Sequence, residues 1–205
     1  MGREEKLFEF DAQLQAGCAG LVAGVDEAGR GPLAGPVVAA AVIFRRRPVK
    51  LPGLDDSKRV SPKSREKLFR QIISQALVGI ASVSESVIDE VNIFQATRLA
   101  MRQAVLALSQ TPELILVDGR ISIDLPPRQK SIIRGDGTSA VIAAASIVAK
   151  VYRDSYMREL DRLYPEYGFS IHKGYPTPEH LRRLRLKGAS PVHRQTFRPV
   201  AEVVR

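Results

Sequence analysis

Apolar and polar positions divide the chain into short runs that predict strands and longer runs with helical spacing. Leu21 to Asp26 and Gly35 to Phe44 read as two consecutive strands joined by a turn rich in glycine and proline, and Leu77 to Val83 as a third. Ser61-Pro62 opens a helix to about Ala76, with Ser61 as cap and Pro62 at the first helical position. Ile93 to Leu108 reads as a second helix. Leu114 to Asp118 and Ser131 to Arg134 supply two more strands, Ser139 to Leu163 a long helix, and Thr177 to Lys187 a short one with Leu181 and Leu184 inward. Strands that come both consecutively and separated by helices predict a mixed sheet flanked by helices.

The long helix carries further information. At 100° per residue, Ser139, Ala143, Ser146, Lys150 and Asp154 fall on one narrow stripe, while Val141, Ala144, Ala145, Val148, Val151 and Tyr152 take the opposite side. A helix this apolar is expected to be buried, so its polar stripe needs partners or a wet cleft. The expected partner is an active site, because Asp136 lies just before this helix. An i,i+4 pair of Lys150 and Asp154 on an exposed rim is the alternative.

Composition narrows the choice of partner. The chain has 205 residues, 44% of them hydrophobic, which suits one domain with a real core and gives no sign of disorder. Thirty-one basic against 22 acidic residues leave a net charge of +9, which favours an anionic partner. No apolar run reaches membrane-spanning length and Met1 to Phe10 is charged rather than signal-like, so nucleic acid is the expected partner and the membrane is not. Cys18 is the single cysteine; it excludes an internal disulfide and fits a reducing cytoplasm. From 172 to 205 there are eight Lys or Arg (Lys173, Arg182, Arg183, Arg185, Lys187, Arg194, Arg198 and Arg205) against Glu179 and Glu202, a net of +6. This segment reads as a basic C-terminal appendage to a single domain spanning 1–205. Its charge points to a phosphate-contacting surface, a merely solvated face being the alternative.

The candidate chemistry begins at Val25-Asp26-Glu27-Ala28-Gly29-Arg30-Gly31, where two adjacent carboxylates at a strand end meet a glycine-arginine-glycine turn. Strand side chains alternate faces, so the strand is expected to lose its regularity at about Glu27 if both acids serve one site. Gly29 and Gly31 permit that, and Arg30 is a natural fork for phosphate. Asp118 and Asp136 also lie at or just beyond strand ends, each before a glycine; either alone reads equally as an Asx turn. Four converging carboxylates would repel one another and raise their own pKa values, a conflict that divalent cations resolve. Carboxylate oxygen suits Mg²⁺ or Mn²⁺. Asp56-Ser57-Lys58 reads as a phosphate contact or as a solvated turn. His172, His180 and His193 are too scattered along the sequence for a zinc site.

The ordered motifs DEAGRGPLAGPV, DDSK at 55–58, VDG at 117–119, GD at 135–136, ASIVAKVYRD at 145–154 and HKGY at 172–175 together resemble ribonuclease HII, the type 2 ribonuclease H family, over about residues 20 to 200. The resemblance implies the α/β ribonuclease H-like fold. It implies a cytoplasmic endoribonuclease dependent on Mn²⁺ or Mg²⁺ that cuts the RNA strand of RNA·DNA hybrids and incises 5′ of single ribonucleotides in duplex DNA, leaving 3′-hydroxyl and 5′-phosphate ends by a two-metal mechanism. The family's metal-binding and catalytic acids match Asp26, Glu27, Asp118 and Asp136. Its substrate contacts match Gly29, Arg30 and Gly31, which read the ribose 2′-hydroxyl through the backbone, together with Ser57, Lys58 and Tyr175, the last stacking on the following sugar. Lys150 and Asp154 take supporting places. A monomer is expected.

Overall fold

The computed structural model describes residues 2–45 and 49–204. Its core is a five-stranded sheet of β1 (Val22–Ala28), β2 (Val37–Phe44), β3 (Ala76–Val83), β4 (Leu114–Asp118) and β5 (Arg128–Ile132), in the order β3-β2-β1-β4-β5. The first three strands form an antiparallel meander, and β4 and β5 add parallel to β1. This is the mixed sheet expected from the apolar runs. The helices are α1 (Arg3–Gln15), α2 (Pro62–Gln75), α3 (Glu85–Leu106), α4 (Ala140–Leu163), α5 (Phe169–His172), α6 (Pro178–Lys187) and α7 (Arg198–Val204).

Each face of the sheet has its own apolar layer. Val22, Ala40, Val42, Leu114 and Leu116 pack against α4, with α1 and α2 behind it. Ala23, Val25, Ala39, Ala41 and Val117 pack against α3. Covered on both sides, β2 is apolar and buried at every position, the pattern of a central strand. At the crossing of β1 and α4, a Cβ on Gly24 would collide with the backbone of Val141 and Ile142, so this glycine lets the helix lie directly on the strand. The first ten residues of α4 are buried all round, Val141 and Ala143 alike, whereas Tyr152, expected on the inner side, is 42% exposed.

Several boundaries differ from expectation for identifiable reasons. The second helix begins at Glu85, capped by Ser84, and is kinked at Asn92 (φ 69°). Asn92 Oδ1 accepts hydrogen bonds from Phe94 N and Gln95 N, so it caps the segment expected to start at Ile93. β5 runs from 128 to 132 rather than 131 to 134, because Arg134 adopts the left-handed region and the backbone turns into the 3₁₀ turn Gly135–Gly137. No apolar pattern announces α1. Its buried Asp11 accepts from Ser139 Oγ (2.6 Å) and Val141 N (2.9 Å), which caps α4 with a carboxylate at its positive end.

Candidate active site

Parallel pairing of β1 with β4 puts Val25 beside Val117, so Asp26 and Asp118 leave the sheet side by side at its carboxyl edge. Asp118 Oδ1 accepts from Gly135 N at 2.5 Å, which pins the turn carrying Asp136 against the end of β4. Glu27 is the exception to the expected geometry. β1 stays paired with β2 through Ala28, so the strand does not lose its regularity at Glu27, and Asp26 and Glu27 lie on opposite faces. The two nonetheless sense each other at the strand tip, where Asp118 also acts on both. Adjacent acids can share a site here because it lies at the sheet's edge rather than over one face.

The electrostatics are those of like charges held together with only partial compensation. Burial, then the charges of Glu27 and Asp118, push the Asp26 carboxyl well above the usual range, against the pull of hydrogen bonds from Glu27 N and the Ser146 hydroxyl. Burial raises Glu27 too, opposed by Arg30, whose guanidinium stands 3.4 Å from Glu27 Oε1. Burial, then Asp118 and Asp56, raise Asp136, opposed by Lys58 with its Nζ at 3.7 Å. Glu27 Oε2 is buried with no hydrogen-bond partner. An orphaned carboxylate oxygen among raised acids fits an all-oxygen cation site. Among the described residues, no three His, Cys, Asp or Glu side groups stand so placed that they could hold an ion by themselves. Mg²⁺ characteristically completes its shell with water and substrate phosphate.

The remaining candidates divide. Ser57 is buried, and its hydroxyl shares a 2.8 Å hydrogen bond with Ser146, so it backs the group that touches Asp26; Lys58 is exposed beside Asp136. From the polar stripe of α4, Ser146 reaches the acids. Lys150 pairs with Asp154 at 2.7 Å and stands 5.9 Å from the centroid of the Tyr175 ring. Asp154 turns instead to Lys150 and to Arg65, at 3.3 Å. Tyr175 is 42% exposed, and its ring lies 3.6 Å from where a Cβ on Gly31 would stand, which joins the HKGY loop to the glycine-arginine-glycine turn.

Two arginines that no motif assigned to the site hold that turn. Fully buried Arg194 donates five hydrogen bonds of 2.6–3.0 Å to the carbonyls of Gly29, Arg30, Pro32 and Gly35. Arg153 donates to Pro36, Lys173 and Ala34 at 2.9–3.1 Å. A Cβ on Gly29 (φ 98°) would strike the Arg153 side group, so only glycine admits this brace. Burial lowers both guanidiniums, to about 10 for Arg153 and about 9 for Arg194, and both remain charged at neutral pH. Arg194 is therefore not part of the basic surface to which its charge was assigned. Arg182 and Arg183 are held by Glu179 at 2.8 and 2.6 Å, which leaves Arg185 and Lys187 as exposed cations outside the described ion pairs; Arg205 lies outside the described residues. The periodicity holds one clue to Arg153, which sits four residues from both Ala149 and Met157 on a buried stripe. Nothing in the pattern marks Arg194.

The histidines also depart from expectation. His172, His180 and His193, although far apart in sequence, gather in one buried cluster, because the segment after α6 returns and brings 193 against 180. Their ring nitrogens are engaged with backbone groups and with each other, an arrangement of struts rather than zinc ligands.

The family model described as Ribonuclease HII matches residues 23–200. The chain belongs to the ribonuclease HII family. It is thereby an endoribonuclease of the metal-dependent ribonuclease H class. The ribonuclease HII of Geobacillus kaustophilus is 54% identical over 204 residues, covering 99% of this chain and 78% of the relative. Among solved structures, ribonuclease H2 from Pyrococcus horikoshii superimposes with a TM-score of 0.77 at 28% identity, over 89% of this chain and 96% of that one. Bst-RNase HIII in complex with Mn²⁺ gives a TM-score of 0.75 at 18% identity, over 90% of this chain and 69% of that one, a likeness of fold. No described helix is long and apolar enough to cross a membrane.

Proposed function

We propose that this ribonuclease HII cuts the RNA strand of RNA·DNA hybrids and also incises on the 5′ side of a single ribonucleotide in duplex DNA, leaving 3′-hydroxyl and 5′-phosphate ends, as in ribonucleotide excision repair. The observation that supports the reading is the raising of the Asp26, Glu27 and Asp136 carboxyls, on each of which Asp118 acts, with one buried unpartnered oxygen, beside a glycine-rich turn and an exposed tyrosine. Asp26, Glu27, Asp118 and Asp136 would hold Mg²⁺ or Mn²⁺. Two such ions supply activation of the attacking water and stabilisation of the leaving oxygen in an in-line displacement.

What the protein's own residues contribute follows from their positions. Ser146, backed by Ser57, hydrogen-bonds Asp26 and holds its carboxylate in one orientation. The carbonyls of Gly29, Arg30, Pro32 and Gly35 are turned to Arg194, which commits that side of the loop to the protein and leaves its outer side to substrate. The 2′-hydroxyl is the group by which a protein tells RNA from DNA, and the Gly29–Gly31 backbone is assigned to read it. Tyr175, beside Gly31, stacks on the following sugar. Lys58, Arg185 and Lys187 offer phosphate contacts. The enzyme acts as a monomer in the cytoplasm.

The test compares wild type with Tyr175→Ala on three duplexes of one sequence, carrying one ribonucleotide, an all-RNA strand or none, in Mg²⁺ and in Mn²⁺. Wild type cuts the first two only, 5′ of the ribonucleotide in the first. Tyr175→Ala loses about one to two decades in kcat/KM on the first, by analogy with stacking worth roughly 1–3 kcal/mol, and less on the second, where neighbouring registers offer other alignments. Cutting of the all-DNA duplex by wild type would overturn the reading. New cutting of that duplex by the variant would transfer discrimination from the turn to Tyr175.

A further inference from the structure

The exposed Tyr175 ring has few neighbours to aim it, so its direction depends on its backbone, and that backbone is held by the histidine cluster together with Thr177 N, which donates to Tyr175 O at 2.8 Å. Gly174 N donates to His172 Nδ1 (3.2 Å), Leu33 N donates to Gly174 O (2.8 Å), and Tyr175 O faces His180 Nδ1 (2.9 Å). Gly174 has φ 81°, with Ala34 O only 2.5 Å from where a Cβ would stand, so only glycine lets the loop approach the Pro32–Ala34 backbone this closely.

Donor and acceptor logic determines every proton in this series of hydrogen bonds. Ser190 N can only donate, so His193 Nδ1, 3.0 Å away, accepts; the Ser190 hydroxyl, 2.7 Å from the same nitrogen, then donates to it as well, and the His193 proton lies on Nε2. His193 Nε2 faces His180 Nε2 at 3.0 Å, which must then accept, placing the His180 proton on Nδ1. That proton meets the carbonyl of Tyr175, which can only accept. The two ends, a backbone N–H and a backbone carbonyl, demand the same assignment independently. A second proton on His180 would set two N–H groups against each other between 180 and 193, and one on His193 would set its Nδ1–H against Ser190 N–H. His172 is likewise assigned as Nε2–H, donating to Tyr167 O at 2.8 Å, and it stacks on His180 with centroids 4.3 Å apart.

We propose that His193 and His180 are positioning residues for substrate recognition, fixing the backbone of Tyr175 through an ordered relay of hydrogen bonds between neutral imidazoles. The proposal rests on the reading of Tyr175 given above and adds what aims it. Burial brings His180 and His193 down to about 4, so the neutral relay persists at physiological pH.

Two measurements test it. Long-range ¹H–¹⁵N spectra of the wild-type protein at pH 7 are expected to show the Nδ1–H tautomer for His180 and Nε2–H for His172 and His193; any other tautomer, or a His180 titrating near 6.5, overturns the relay. Kinetics then use His193→Leu, His193→Gln, Tyr175→Ala and the Leu–Ala double variant on the duplex with one ribonucleotide. Loss of the Nε2–H donor in His193→Leu is expected to lower kcat/KM about tenfold, chiefly through KM, and His193→Gln, whose amide restores a donor there, to recover most of it. His193→Leu should cost nothing further in the Tyr175→Ala background, because it acts through Tyr175. Independent, multiplying losses, or a His193→Leu indistinguishable from wild type, overturn the proposal. An inert Tyr175→Ala sinks the stacking role itself, and with it the positioning role, whatever the tautomers.

Discussion

Replacing Arg194 separates a structural brace from a surface cation, because the two assignments predict opposite outcomes. In Arg194→Met the apolar side group fills much of the space, but the carbonyls of Gly29, Arg30, Pro32 and Gly35 keep their places and lose their donor. An orphaned buried acceptor costs roughly 1–3 kcal/mol, so four cost at least about 4 kcal/mol if they stay dry. Removing a buried charge returns part of that, as when whole buried ion pairs are replaced by apolar residues, but here only one side of the contact is removed. The net expectation is a loss of about 3–5 kcal/mol, a large share of a typical total stability of roughly 5–15 kcal/mol. Arg194→Lys offers three donors to four carbonyls and loses the stacking of the guanidinium on Phe197, whose ring centroid lies 5.0 Å away; about half the penalty remains. Urea unfolding of metal-free protein provides the readout, as a fall in midpoint at unchanged slope. An Arg194→Met variant within about 1 kcal/mol of wild type would refute the brace, since surface substitutions away from special features stay within about 0.5 kcal/mol.

Asp118→Asn should keep the fold and duplex binding while lowering cleavage by orders of magnitude at saturating metal, and should raise the metal-free melting temperature by relieving the repulsion felt by Asp26, Glu27 and Asp136; near wild-type cleavage would remove it from the site. His193 is neutral in the fold down to about pH 4 against an ordinary value of 6.5, so the unfolded state binds the extra proton first and the stability the ring contributes falls as pH drops from 6.5 towards 4. The stability of wild type relative to His193→Gln should therefore fall by up to about 3 kcal/mol between pH 7 and 4, the raised carboxylates being common to both; a constant difference would contradict a neutral buried ring. Arg185→Ala with Lys187→Ala should weaken binding to hybrid and plain DNA duplex alike, flattening log affinity against log salt by at most about 0.9 for each phosphate no longer neutralised. An unchanged slope would make that face merely solvated.

Most of the sheet was legible because β2, β3 and β4 are apolar at nearly every position and β1 up to Asp26, whereas β5 is polar except at Ile132 and only its end was found. The four acids were legible because each closes or follows such a run, with Asp136 beyond β5 in the turn that Asp118 pins. The ends of elements were less so. Asn92 and Arg134 take left-handed backbone that no run of apolar residues announces, and α1 is a mostly polar helix placed by distant contacts, Leu7 in the core, Phe8 against Phe44 and Asp11 with the start of α4.

Arginine and histidine depart from their expected places for a physical reason rather than by chance. A residue's type sets what it can donate, but whether that capacity meets water, phosphate or a buried carbonyl depends on segments far away in sequence. Arg194 meets carbonyls about 160 residues earlier, and its charge in a basic stretch gives the opposite impression. The spacing of the three histidines says nothing of their role, which arises when the segment after α6 returns to His180 and lines up a donor with an acceptor at each step. Both groups serve the same end of the molecule: Arg194 and Arg153 hold the carbonyls of the glycine-rich turn, and His172 and His180 hold the loop of Tyr175 beside it. The carboxylates, read directly from strand ends, sit on rigid sheet. The two elements assigned to recognise the ribose are loops, and a loop placed by buried polar donors is where local sequence pattern says least and a single substitution is expected to change specificity most.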